Sequence, residues 1–320
     1  MNELKERIPK YKINIVSIYD ELFSYSEERC YEFSKRFKEF TETLSWEVKW
    51  CCQMRVSGIK NEMLDAMKAS GCFMVSYGFE SYSKIVLKSM KKAIKPEQIH
   101  NAIHKTLDRG ISIQGNFIFG DKAETLETAK ETLEFWKEHP ESGIQLVSLM
   151  SCPNSEIYQY CINKKIINDK LYFIKYHLLD FFNMTEMSKR DFSKLLDLIY
   201  IYQLKYCVCA TPVNIYPDSI VVRCPHCEEI IQYNNFTIKG LFYKRVMYCR
   251  NCRKRFYVVS AIYALHSKFD QVALLIYKIT TKLDKIRATL FIMLKSSSFI
   301  WRIHGFYRTL VHVLGKTRAS

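Results

Sequence analysis

Cys72-Phe73-Met74-Val75-Ser76-Tyr77-Gly78-Phe79-Glu80-Ser81 is the stretch that decides the fold. Its first half is a run of strand formers, and a helical pattern follows it through Lys92. A glycine and then a carboxylate stand where the strand gives way to the helix. That order puts a charged group at the carboxyl end of a sheet, the edge at which α/β folds bind ligands. Taken alone, Gly-x-Glu-Ser also describes a strand end with a helix-capping serine, so the flanking sequence has to carry the reading further.

Strands and helices alternate on both sides of this stretch. Lys12–Tyr19 reads as a strand, because Ile13, Ile15, Val16 and Ile18 are β-branched and nearly continuous, as in a buried parallel strand. Glu27–Phe40 has helical spacing, with Cys30, Phe33, Phe37 and Phe40 on one face. Trp46–Met54 is a second strand, ending at Arg55. Asn61–Ser70 is a helix with Gly71 as its stop, and Phe73–Tyr77 is the third strand. Ser81–Lys92 and Pro96–Asp108 are helical, the latter with proline in its first turn and Gly110 after it. Ile111–Phe119, Glu124–Glu138 and Ile144–Met150 complete a βαβαβαβαβ series with short connections. Such a series predicts parallel strands joined by helical crossovers.

The 320 residues carry a net charge of +15, unevenly spread. Residues 1–150 are balanced at net 0, residues 151–215 carry +2, 216–260 carry +5 and 261–320 carry +8. The basic character therefore bears on what the C-terminal third touches. No short apolar stretch follows the charged start as a secretory signal would, and no run reaches the roughly 18 apolar residues of a spanning helix. Twelve cysteines in that context point to reduced thiols or metal ligands, not a disulfide framework.

Five motifs in order carry a family resemblance: Tyr19-Asp20-Glu21-Leu22-Phe23, Trp50 to Arg55, Gly78-Phe79-Glu80-Ser81, Met90-Lys91-Lys92, and Gly115-Asn116-Phe117-Ile118-Phe119-Gly120-Asp121-Lys122-Ala123-Glu124-Thr125. Over about residues 1–165 they resemble radical S-adenosylmethionine (radical SAM) enzymes, most of all the subgroup with a cobalamin-binding domain ahead of the barrel. The resemblance implies a partial barrel of βα units, S-adenosylmethionine as cofactor, and a 4Fe–4S cluster on a Cys-x3-Cys-x2-Cys loop after the first strand. No Cys-x3-Cys-x2-Cys occurs in this sequence. Aligned on the motifs, Ile13–Ile18 matches the family's second strand, so the first strand, the cluster loop and any cobalamin domain are expected to be missing. Cys30, Cys51, Cys52 and Cys72 lack the spacing and read as core thiols.

The same resemblance implies the ligand contacts. Glu80 would accept hydrogen bonds from ribose hydroxyls, a role that suits a carboxylate with two acceptor oxygens. Lys92 would pair with the methionyl carboxylate, or else is one solvated lysine of a basic run. Asn116 would face the ligand, Gly120 would admit backbone approach on the adenine side, and Arg55 would contact cofactor or substrate. The expected consequence is a chain that does no radical chemistry alone. Its partners would be a separate N-terminal radical SAM and cobalamin-binding polypeptide, or a second copy pairing at the open barrel edge along Ile13–Ile18, a strand apolar on both faces and without proline or inward charge. Ser155 is expected to cap the helix that follows the end-of-barrel turn.

Cys224-Pro225-His226-Cys227 and Cys249-Arg250-Asn251-Cys252 form two Cys-x2-Cys knuckles 21 residues apart. Four thiolates at that spacing point to a structural zinc site with no open coordination position. Ile230–Tyr233, Leu241–Met247 and Phe256–Val259 are expected as the three strands of one small ribbon. Between the barrel and this ribbon, residues 156–210 are helical and apolar-periodic, with Leu195, Leu196, Ile199, Ile201, Tyr202 and Leu204 as a packing face. Cys207 and Cys209 read as strand or helix-end thiols.

Beyond the ribbon, Val272, Ile276, Ile279, Leu283, Ile286, Leu290 and Met293 follow spacings of four and three, the seam of an amphipathic helix. Phe299, Trp301, Phe306 and Tyr307 then stand beside Arg302 and Arg308. Three readings stay open for this tail: packing on the chain's own body, peripheral contact with an anionic membrane, and nucleic acid. The expected organisation is a partial α/β barrel at 1–165, a helical extension at 166–215, a zinc ribbon at 216–260 and basic amphipathic helices at 261–320, in a cytoplasmic protein that reaches at most the membrane surface. The alternative function is a non-catalytic zinc-ribbon binding or scaffold protein.

Overall fold

Met1, Leu4 and Ile8 recur at spacings of three and four, and the segment carrying them is a helix, α1 (Asn2–Tyr11), with Ile8 fully buried. This one stripe docks the N-terminal segment on the core. The computed structural model describes residues 1–279 except 21–22, 177–181, 239, 241 and 270. Met1–Lys268 form one compact unit.

The alternation continues as β1 (Ile15–Ile18), α2 (Glu27–Thr41), β2 (Lys49–Met54), α3 (Asn61–Ala69), β3 (Cys72–Glu80), α4 (Lys84–Ser89), α5 (Pro96–Asp108), β4 (Ser112–Phe119), α6 (Leu126–Glu138) and β5 (Gln145–Ser148). All strand pairs are parallel, in the order β1-β2-β3-β4-β5. Neighbours in space are neighbours in sequence, as in a barrel wall; a doubly wound sheet would reverse direction part-way. The fold is therefore the expected partial barrel, and among the described residues β1 has a strand on one side only.

Pleating sorts the strands' side chains by face. Trp50, Cys52, Val75, Tyr77, Phe79, Ile113, Phe117 and Phe119 are buried in one core with Phe37, Met63, Leu64, Ile99, Ile103 and Leu133 from the helices. The Tyr77 hydroxyl adds a hydrogen bond of 2.8 Å to Thr106 Oγ1 on α5. Gln53, Ser76, Gly78, Asn116 and Ile118 alternate with these residues and line a cleft instead.

Gly115 on β4 leaves room for the Phe79 ring: a Cβ there would come within 2.3 Å of Phe79 Cε2. Gly115→Ala should therefore cost about 1–3 kcal/mol, the usual price of overpacking a core. Chemical denaturation measures this, and an unchanged midpoint would mean that Phe79 can move aside freely.

After the sheet come α7 (Glu156–Asn163), α8 (Lys170–Tyr176) and α9 (Lys189–Tyr206). Ser155 caps α7 as expected, its Oγ accepting from the Tyr158 N–H at 3.2 Å. Leu195 and Leu204 of α9 are buried, and Leu196, Ile199 and Tyr202 pack against the core. Gln203 Nε2 donates to the Leu146 carbonyl at 2.9 Å, tying α9 to β5. Cys207 ends α9, and Cys209 begins a short strand.

Six strands follow: β6 (Cys209–Ala210), β7 (Pro212–Ile215), β8 (Ser219–Arg223), β9 (Ile230–Asn234), β10 (Lys244–Tyr248) and β11 (Arg255–Val259). They form two sheets, β7-β8-β9 and β10-β11-β6, where a single three-stranded ribbon was expected. The reason is that each Cys-x2-Cys knuckle is the tip of its own hairpin. Cys224 and Cys227 join β8 to β9, and Cys249 and Cys252 join β10 to β11. Ile220, Val222, Tyr233, Phe256 and Val258 fill the space between the hairpins.

This two-hairpin element sits at the amino-terminal ends of the barrel strands. Tyr248 stacks on Phe73 at the start of β3, with centroids 5.8 Å apart. Arg255 packs over Gly143, where a Cβ would come within 2.5 Å of Arg255 Cβ, and reaches the Ile113 carbonyl. Helix α10 (Ala261–His266), capped by Ser260, closes this unit. From Phe269 a second unit begins, in which residues 271–279 are helical. The expected seam from Leu283 onward and the aromatic segment around Trp301 lie outside the described residues. Among those described, no helix is long and apolar enough to cross a membrane.

Candidate functional site

The carboxyl ends of β2, β3 and β4 open into a cleft of 720 Å³ lined by Gln53, Arg55, Ser76, Gly78, Glu80, Lys91, Lys92, Asn116 and Ile118, among others. A second cavity of 360 Å³ shares Glu80, Lys91, Lys92 and Ile118 and extends to Asp121, Lys122 and Tyr160. The first is within the usual size range of small-molecule sites, and the two meet at Glu80 and Lys92.

Glu80 owes its position to an irregularity in β3. The β3–β4 register shifts between Gly78 and Glu80, and the strand ends in a three-residue turn closed by the Ser81 N–H on the Phe79 carbonyl at 2.8 Å. Glu80 is the centre of that turn at φ +63°, a rare and strained γ-turn conformation for a residue with a Cβ. The turn puts Phe79 into the core and leaves the Glu80 carboxylate at the cleft. The strand thus runs three residues past the expected Tyr77, with no helix directly after it. Ser81 stays out of the cleft: it is buried, contacts Thr132 Oγ1 at 3.1 Å and accepts from the Ser83 N–H.

Lys92 reaches Glu80 from the end of α4. Lys91 takes the left-handed conformation at φ +55°, and the Lys92 N–H donates to the Leu87 carbonyl at 2.9 Å. This is the Schellman stop, built here without glycine. It aims Lys92 Nζ at Glu80 Oε1, 2.7 Å away. Gly78 keeps the space beside this pair open, since a Cβ there would meet Glu80 Oε1 at 3.1 Å and Lys92 Nζ at 3.7 Å. Asn116 stands opposite Gly78 in the β3–β4 register.

Four of the five expected contacts, Glu80, Lys92, Asn116 and Arg55, thus share one cleft. Gly120 stands apart, buried at φ +106°. Its N–H is already used: it donates to Glu124 Oε2 at 2.9 Å. Glu124 is 2 % exposed, and burial pushes its carboxyl up to about 7 against the pull of the Gly120 and Thr128 hydrogen bonds. Glu124 therefore pins the loop after β4. Sequence reading passed over Gln53 and Ser76. Their signal is a polar residue near the end of an otherwise apolar strand, and the register sets the two side by side.

The four knuckle cysteines converge as their spacing implied, with one sulfur from each within 4.8 Å of the others. Cys224 and Cys252 Sγ are 3.8 Å apart, and Cys227 and Cys249 Sγ 3.6 Å. A tetrahedron with metal–sulfur bonds of about 2.3 Å has edges of about 3.8 Å, so the thiols are already placed for an ion. Both knuckles use the same backbone pattern. The Cys224 N–H donates to the Glu229 carbonyl and the Cys249 N–H to Lys254, while the N–H groups of His226 and Cys252 point at the sulfurs of Cys224 and Cys249. His226 stays outside the thiol group, its Nε2–H donating to the Arg255 carbonyl at 2.9 Å. Cys30, Cys51, Cys52 and Cys72 are buried in the barrel, as their sequence context suggested. Among the described residues, no three cysteines other than those of the knuckles have sulfurs within 4.8 Å of one another.

Residues 1–135 match the family described as the Radical SAM superfamily. A protein of Pyrococcus horikoshii named as an uncharacterized methyltransferase is 28% identical over 193 residues, 60% of this chain and 41% of that one. Bacteriochlorophyllide d C-12(1)-methyltransferase of Chlorobaculum tepidum is 30% identical over 138 residues, 42% of this chain and 28% of that one. Among solved structures, the radical S-adenosylmethionine methyltransferase TsrM of Kitasatospora setae, with cobalamin and a [4Fe-4S] cluster bound, shares 16% identity at a TM-score of 0.44, over 50% of this chain and 31% of that one. The chain spans less than half the length of these relatives.

Proposed function

We propose, taking residues 1–135 as a radical SAM domain, that the cleft at Glu80 binds S-adenosylmethionine. The observation that carries this is the Glu80–Lys92 pair, held by a strained turn on one side and a glycine-free helix stop on the other, with Gly78 leaving space beside it. A ligand with hydroxyl donors and a carboxylate would exchange with the pair: Glu80 would accept from the ribose hydroxyls and Lys92 would take the methionyl carboxylate. Asn116 and Arg55 would complete the polar wall. When bound to a cluster, S-adenosylmethionine supplies a 5′-deoxyadenosyl radical in this family. This chain's residues would bind and orient it, and the thiolates for the cluster would come from outside residues 1–320. The β1 edge, with a strand on one side only among the described residues, is where we place the strand that carries them.

The two hairpin knuckles we assign to one structural zinc ion. All four ligands are thiolates, and the hairpins cap the end of the barrel strands where residues serve stability and not chemistry.

Equilibrium dialysis with labelled S-adenosylmethionine tests the cleft. Glu80→Gln keeps the side chain's shape but removes its charge and should weaken binding about tenfold or more, the loss of a charge-assisted hydrogen bond. Binding unaffected by Glu80→Gln and by Asn116→Ala would move the ligand elsewhere.

A further inference from the structure

Three histidines outside both sites meet on the outer, helical layer of the barrel. His100 and His104 lie four apart on α5 and so share one face of that helix. His139 ends α6, at φ −121° and ψ 55°, where the chain turns into the short 3-10 segment Pro140–Ser142. The ring centroids are 4.2 Å apart for His100 and His104, 5.3 Å for His100 and His139, and 5.5 Å for His104 and His139. One ring nitrogen from each comes within 4.8 Å of the other two.

We propose that His100, His104 and His139 bind one divalent transition-metal ion of the class that favours imidazole, such as zinc, cobalt or nickel, linking α5 to the end of α6. Metal–nitrogen bonds of about 2.0–2.1 Å need the three nitrogens within about 3.5 Å of one another. His100 and His104 are exposed, so small side-chain rotations close that gap at little cost.

Two features separate this cluster from surface histidines that merely stack. The third ring comes from a different helix, so the group is a convergence and not a by-product of one helix's periodicity. The Glu141 Oε1 also lies 3.3 Å from His139 Nδ1. A carboxylate on one ring nitrogen fixes the tautomer and presents the other nitrogen to an ion, as in most histidine metal sites. Three protein ligands leave a fourth position for water or an external group. The sequence signal is His-x3-His on a helix with a distant His-x-Glu, and the 34 residues between His104 and His139 conceal it.

The experiment uses the untagged full chain, first given one equivalent of zinc, which the four thiolates take first, and then titrated with cobalt(II). The expected result is one further equivalent of cobalt with weak visible d–d absorption and no thiolate-to-metal charge-transfer band. His100→Ala with His104→Ala should abolish that equivalent, with circular dichroism and zinc content unchanged because both positions are exposed on a helix. Glu141→Gln, which leaves all three ligands in place, should weaken cobalt binding about 10–100-fold. The proposal is overturned if no second equivalent binds, if it survives the double substitution, or if its spectrum shows thiolate ligation.

Discussion

Cys224→Ser combined with Cys249→Ser should remove metal from the two-hairpin element and with it the order of residues 216–260. Each hairpin contributes two sulfurs, so the double change leaves one thiol on each tip and no tetrahedral site. Structural zinc in small domains is worth on the order of 10 kcal/mol of folding free energy. The apolar filling between these sheets, chiefly Ile220, Val222, Phe256 and Val258, is small for an element this size. The effect should spread to the barrel's base, because Tyr248 and Arg255 lose their places against Phe73 and Gly143. Elemental analysis should show loss of about one zinc per chain, and amide exchange across β8 to β11 should become fast. Cys207→Ser with Cys209→Ser, outside the thiol group, should change neither. Full zinc content and intact protection in the Cys224/Cys249 variant would refute the assignment.

The second large effect concerns Glu124 and has a defined sign. Its carboxyl titrates at about 7 in the folded protein and near 4.5 as a free side chain. The folded state therefore holds a proton that the unfolded chain has already released between these values. The stability that this group contributes is complete below pH 4.5, falls as the pH rises toward 7, and levels off above it. At 1.36 kcal/mol per pH unit, this one group costs about 3 kcal/mol across that window. Glu124→Gln keeps an oxygen to accept from the Gly120 N–H and does not titrate. Urea denaturation from pH 4.5 to 8 should show the decline flattened in the variant, which becomes the more stable protein at pH 8 by about 1–3 kcal/mol. Parallel pH profiles would mean that Glu124 is solvated enough to ionise without penalty.

The barrel was legible because its signals are local. Pro96 and Gly110 bound α5, Gly71 stops α3, and β-branched runs mark the strands. What escaped depends on contacts distant in sequence. The extension of β3 to Glu80 needs the missing Cβ of Gly115, 36 positions after Phe79, to make room for that ring. The split of the ribbon into two sheets depends on β7 and β8, short segments that pair across the turn at 216–218, and on each knuckle closing its own hairpin. In the cleft, Glu80, Lys92 and Asn116 were named through motifs, while Gln53 and Ser76 become visible only once the strands are in register. Gly120 has the positive φ that suits glycine, and the buried Glu124 carboxyl accepts its N–H.

Amide hydrogen exchange with and without S-adenosylmethionine measures directly where that ligand sits. The expected result is added protection at residues 76–81, 91–94 and 116–118, the segments that line the cleft, with residues 216–260 unchanged. Protection that appears elsewhere, or saturating ligand that changes no amide in these three segments, would contradict it.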